Sequence, residues 1–260
     1  MRPRVALGVL LLLVAGVAVY VAGRQSASPS PPYEVQRLGP EPGERVADYL
    51  ARARATLPLA DSSVDPSADA GQVWALVQLT EPVDAATAGR LVDGVRLSRV
   101  VFRVPLPRVQ TALVTRDVPG QQPLTELVDA QRLAADDRAA AGARLAGSGG
   151  ADPGAAGSGV TGSGAAGSRS SDVGRAAEVA AAESAALRAG CACVLAMLVR
   201  ADGAGLLALS AAAGVRVVHA AEPGTPLPAI AVSPLLPEQT EVAEPVPDDG
   251  PVPTAPVPSR

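Results

Sequence analysis

Two cysteines, a single histidine and one pair of adjacent aspartates on a helical stretch are the residues of this 260-residue chain whose types invite chemistry. Cys191 and Cys193 are one residue apart, not the two-residue gap of thiol oxidoreductases or zinc knuckles. On a strand both would face one side with Cα atoms about 6.5–7 Å apart, at or beyond disulfide reach. Spacing therefore favours two buried, inert thiols in an apolar strand. A strained vicinal-type disulfide or intermolecular bridges is the alternative, because an exported pair ordinarily oxidises; a redox or metal role ranks last. His219, near the end of a strand, reads as a surface or strand-end residue. Asp136 and Asp137 are neighbours on a helix, so their carboxylates diverge into solvent. Ser158 and Ser163 are flanked by glycine but follow no strong strand, as a nucleophile elbow requires. The Gly-rich stretch 147–164 lacks the Lys-Ser/Thr ending of a phosphate loop. Trp74 opens a strand and reads as core or sheet-edge packing. No catalytic, metal-ligating or cofactor-binding residue is assigned, and no cofactor is expected.

Something must position these residues, and the chain begins with an address. Val5–Ala22 is an unbroken apolar run preceded by Arg2 and Arg4. At ~1.5 Å per residue it spans about 27 Å, close to a hydrocarbon core, and reads as a transmembrane helix. The positive-inside rule puts 1–4 in the cytoplasm and everything after Arg24 outside. A cleaved secretory signal is the rival, with an unusually long apolar region. Residues 23–43 read as a linker, Ser/Pro-rich up to Pro32.

The remainder divides into halves. In 44–145, Val46, Tyr49, Leu50, Ala53 and Leu57 form one helical stripe ended by Pro58, and a loop follows to Gly71. Val73–Leu79 is strand-like, Asp84–Asp93 a short helix, Gly94 its left-handed cap, and Val95–Val104 a second strand. In 171–221 the same grammar returns: strand Cys191–Val199, a helix capped by Asp202 and ended by Gly214, then strand Val215–His219. Gly-Val-Arg recurs at 94–96 and 214–216, marking a duplicated β-α-β unit. The expected fold is α+β, a ferredoxin-like split β-α-β sandwich with two helices on one face of an antiparallel sheet.

Between the units, Thr111–Val118 reads as a further strand, and Leu124–Leu145 and Asp172–Ala189 as a helical hairpin standing out from the sandwich. Residues 146–170, almost all Gly, Ser and Ala, read as a disordered linker. The segment 222–260 is Pro-rich and acidic, and is expected to be disordered at least after Thr240.

Composition narrows the function. Lysine and asparagine are absent, Ile230 and Phe102 are single representatives, and Ala, Gly, Val, Pro and Arg fill the chain, a bias of GC-rich coding. Net charge is −4 with dispersed arginines and 2% aromatics, which excludes the basic stripe and stacking platforms of nucleic-acid binders. Gly-Cys-Ala-Cys at 190–193, Leu-Pro-Arg-Val-Gln-Thr at 106–111, Leu-Leu-Pro-Glu-Gln at 235–239 and the apolar leader resemble a group of uncharacterised actinobacterial membrane-anchored proteins. The resemblance spans most of Arg45–Gln239 and implies export but no activity. The second unit's Leu-Leu-Ala-Leu helix and Gly-Val-Arg-Val-Val strand also resemble half of a subtilisin-type propeptide domain, over about 30 residues, as a pattern of fold alone. The expected role is a non-enzymatic interaction, scaffold or sensor module whose partners are the membrane and another envelope protein, with no nucleic acid. A propeptide-like protease inhibitor or folding chaperone is the alternative, and a thiol-redox protein ranks below both.

Overall fold

A computed structural model describes residues 34–57, 71–119, 122–148 and 163–253, with backbone only for 163–170. The expected membrane helix Val5–Ala22, most of the loop after Pro58 and the middle of the Gly/Ser/Ala linker lie outside these residues. Among the described residues no helix is long and apolar enough to cross a membrane.

The architecture follows from the repeated unit. Strand β2 (Val73–Val83) leads into helix α2 (Ala85–Leu91) and strand β3 (Arg96–Phe102). Strand β5 (Val194–Ala201) leads into helix α5 (Gly203–Ala211) and strand β6 (Val215–Ala220). Each helix starts on an aspartate that accepts a backbone N–H three residues on: Asp84 from Thr87 at 2.9 Å, Asp202 from Gly205 at 2.7 Å. Each unit turns into its second strand through a left-handed glycine, Gly94 at φ +83° and Gly214 at φ +84°. The two units interlock. With strand β4 (Val114–Asp117) they form one sheet of order β4-β3-β5-β2-β6, antiparallel throughout.

One face of that sheet carries Val73, Ala75, Val77 and Leu79 of β2 with Leu97, Val100, Phe102, Met197 and Val199, buried against α2, α5 and the insertion. The opposite face carries Leu76, Val101, Ala196 and Leu198, also buried. Strands apolar on both faces need cover on both, and the second layer comes from the two flanks of the chain. Strand β1 (Gln36–Leu38) pairs in parallel with strand β7 (Ile230–Val232), which follows a single 3-10 turn (Leu227–Ala229). Helix α1 (Val46–Ala55) buries Val46, Tyr49 and Ala53 against Val217, Leu235 and Ala243. Part of the expected 23–43 linker is thus a strand.

Three further expectations are corrected. The insertion, helices α3 (Pro123–Ser148) and α4 (Ser163–Arg188), is an antiparallel pair that does not stand out as a whole. Leu127, Ala130, Ala134, Ala135, Val179, Ala186 and Leu187 belong to the main core, because they cover sheet that the two short helices leave bare. The expected disordered linker 146–170 is helical at both described ends, to Ser148 and from Ser163. Nor is the described part of the tail, up to Pro253, disordered from Thr240. Arg45 bridges Val242, the Val46 N–H donates to the Glu241 carbonyl at 2.8 Å, and Val246, Asp248 and Asp249 accept hydrogen bonds from the β3–β4 connection. Proline removes donors but leaves carbonyls, and arginines and backbone amides of the domain supply the partners.

Candidate functional site

The residues with chemical potential are distributed, and each is engaged locally. Cys191 and Cys193 form a disulfide, correcting the expectation of two inert thiols. They lie in the irregular turn before β5, not on the strand, so their Cα atoms approach to 5.3 Å. Gln131 of α3 covers the bridge, donating to the Leu187 carbonyl at 3.2 Å, the Cys191 carbonyl at 3.3 Å and the Cys191 Sγ at 3.8 Å. Closing so short a loop removes little unfolded-state entropy, so Cys191→Ala/Cys193→Ala is expected to cost only about 1–2 kcal/mol in urea unfolding.

His219 stands near the end of β6, as expected, but not at the surface. It is buried, 4% exposed, at the centre of a polar cluster between β6, α1 and the turn after β1. Its Nδ1 accepts the Gly39 N–H at 3.2 Å, with the Tyr49 hydroxyl at 3.5 Å. Gln78 donates to the Tyr49 hydroxyl, while its Oε1 accepts the Leu235 N–H at 2.6 Å. Arg52 lies 5.3 Å over the Tyr49 ring and donates to the Gly39 carbonyl at 3.2 Å and to Glu44 at 2.8 Å. Both backbone groups of Gly39 are held, one by the imidazole and one by the guanidinium.

An imidazole that accepts from a backbone amide must be neutral at that nitrogen. Burial first, and the Arg52 charge second, push His219 down to about 4 from the ordinary 6.5, opposed by Glu44. Burial also pushes the Tyr49 phenol up. Because the unfolded histidine binds its proton more readily, its contribution is complete above pH 6.5 and fades as pH falls toward about 4. Over that window the chain is expected to lose about 3 kcal/mol of stability. Urea titrations of the wild type and His219→Gln check this: the wild-type curve slopes and the variant's is flatter by that amount.

The remaining residues separate. Asp136 pairs with Arg188 at 2.8 Å and Asp137 with Arg116, so the carboxylates diverge as their adjacency dictates. Trp74 is half-buried with the Arg200 guanidinium 5.6 Å from its ring. Ser158 lies outside the described residues, and Ser163 begins α4. His219 and the cysteines belong to β6 and to the entry of β5, which β2 separates. Among the described residues no three His, Cys, Asp or Glu side chains gather as metal ligands.

Two buried charged residues that were not candidates in the sequence, Glu183 and Arg103, are held by ion pairs. Glu183 of α4, 1% exposed, accepts from the Ala112 N–H and from Arg138 of α3, each at 2.5 Å. Burial outweighs both partners and pushes its carboxyl up. Arg103, 2% exposed, donates to both oxygens of Glu238 at 2.8 Å. These contacts tie the insertion and the 233–244 segment to the sheet.

The sheet has two edge strands among the described residues, β4 and β6. Strand β4 has a single neighbour, β3. The Val118 N–H donates inward to the Ser98 carbonyl at 2.9 Å, so by alternation Val114 and Arg116 also bond inward. Leu113, Thr115 and Asp117 then turn their backbone groups outward, and all three are exposed. No family model, curated protein or solved structure matches the chain.

Proposed function

We propose that this chain is a membrane-anchored, extracytoplasmic interaction module of the cell envelope, built on a ferredoxin-like sandwich and working without covalent chemistry. The order β6-β2-β5-β3 of the four unit strands supports the sandwich reading. The Cys191–Cys193 disulfide supports an oxidising location. The observation that carries the interaction role is the β4 edge. It presents exposed Leu113, Thr115 and Asp117, so an extended segment of an envelope protein can add there as a further strand. The alternative, a protease inhibitor or folding chaperone, uses the sheet face and an extended tail as substrate mimic; a tail bonded to Arg108, Gln110 and Arg175 is less available for that role.

A photo-crosslinking side chain at Thr115 in the full chain, expressed in its native envelope, tests the proposal. A discrete adduct is expected from Thr115 and none from the exposed Leu207 of α5. Equal labelling at both positions, or none at Thr115, removes the support for edge recognition.

A further inference from the structure

The segment 246–250 is seated on the rest of the chain in the manner of a bound peptide. Arg108 donates through Nε to Asp249 Oδ1 at 2.7 Å, and through its second nitrogen to the other carboxylate oxygen. The Gln110 N–H donates to Asp248 Oδ1 at 3.0 Å, and the Gln110 side-chain amide to the Val246 carbonyl at 2.6 Å. Arg175, reaching over from α4, donates to Asp248 Oδ1 at 3.1 Å and to the Gly250 carbonyl at 2.9 Å. The Gly250 N–H closes the set on the Arg108 carbonyl at 2.7 Å.

Shape is as restrictive as charge. A Cβ at Gly250 would lie 2.3 Å from the Pro107 carbonyl oxygen, so no other residue fits that contact without displacement. Arg108 holds φ +56°, the one positive φ outside glycine among the described residues. A non-glycine residue persists there where surrounding contacts hold it; here these are the local turn bond from the Val109 N–H to the Leu106 carbonyl and the bonds to the segment.

We propose that Arg108, Gln110 and Arg175 form a recognition site for an extended acidic peptide with an Asp-Asp-Gly core, and that the chain's own residues 246–250 are its exchangeable resident ligand. Geometry makes the site selective; exposure makes the occupant releasable. Arg108 and Asp249 are 63% and 60% exposed, and Arg175 and Asp248 are 33% and 43%. Exposed ion pairs hold weakly and are screened by salt. Occupancy therefore depends on tethering, which gives the tail an effective concentration in the millimolar range. The site is separate from the β4 edge and stands whether or not that edge binds a partner.

The test uses the full chain and a labelled synthetic peptide of sequence 245–253. Asp248→Asn/Asp249→Asn weakens the resident ligand without changing its size, so this variant is expected to bind the added peptide at least about tenfold more tightly than the wild type. Gly250→Ala displaces the tail by sterics alone and is expected to behave likewise. Binding should weaken with added salt and vanish with an Asn-Asn peptide or in a chain also carrying Arg108→Ala/Arg175→Ala. Equal affinity for the Asp-Asp and Asn-Asn peptides overturns the proposal. So does failure of both tail variants to bind more tightly than wild type.

Discussion

Arg138→Ala is expected to destabilise the fold by about 3–5 kcal/mol in urea unfolding near neutral pH, far more than its position on a polar helix suggests. The side chain is 20% exposed, while its partner Glu183 is 1% exposed. Phe102, Val104, Val114 and Leu187 surround the pair. With Arg138 removed, the carboxylate keeps one donor, the Ala112 N–H, in surroundings that strongly disfavour charge. The pH dependence identifies the cause. Burial raises the Glu183 carboxyl above its ordinary 4.5, so between the unfolded and the folded pKa the folded state binds more proton than the unfolded one. Stability linked to it rises as pH falls through the folded pKa and is lost as pH rises. In Arg138→Ala that slope steepens, and the deficit shrinks in mild acid. Adding Glu183→Gln should recover part of the loss near neutral pH. A deficit that is the same in acid and at neutrality points instead to lost packing of the arginine stem.

Gly39→Ala is expected to cost at least about 3 kcal/mol or to undock the β1–β7 ribbon outright. Gly39 has φ +140°, and a Cβ there would lie 1.8 Å from the Ser233 carbonyl oxygen. The contact involves backbone, so no rotamer change relieves it. The neighbouring bonds fail together: the Ser233 N–H to the Leu38 carbonyl at 2.8 Å, and the Gly39 N–H to His219 at 3.2 Å. One histidine in the chain gives one imidazole signal. Its NMR titration should therefore move from about 4 toward the ordinary 6.5 as water reaches the ring. An unchanged titration with wild-type stability would show that the turn does not restrain the ribbon.

The two expectations differ in how far they could be read from residues alone. Glu183 falls on the stripe Ala176, Ala180, Leu187 of α4, and Gln131 and Arg138 fall on the matching stripe of α3. Polar residues on an otherwise apolar stripe signal burial, yet which of them meet depends on how the helices pair. Gly39 gave no sign of its role, because the carbonyl it approaches is 194 positions later in the sequence. The apolar runs of β2 and β5 marked strands, but the expected cover was two helices on one face, and the second layer that buries Leu76, Val101, Ala196 and Leu198 was not read from them.

Local physics, then, was readable from residue order. Asp84 and Asp202 cap through contacts three residues away, Gly94 and Gly214 permit positive φ, and α1 carries its stripe at helical spacing, so neighbours alone decide them. Closure of the chain in space decided the rest. His219 meets Gly39 across 180 positions, Arg108 meets Asp249 across 141, and Arg138 meets Glu183 across 45. Such partners are selected by strand order and by which apolar face remains to be covered, and no local backbone preference encodes either.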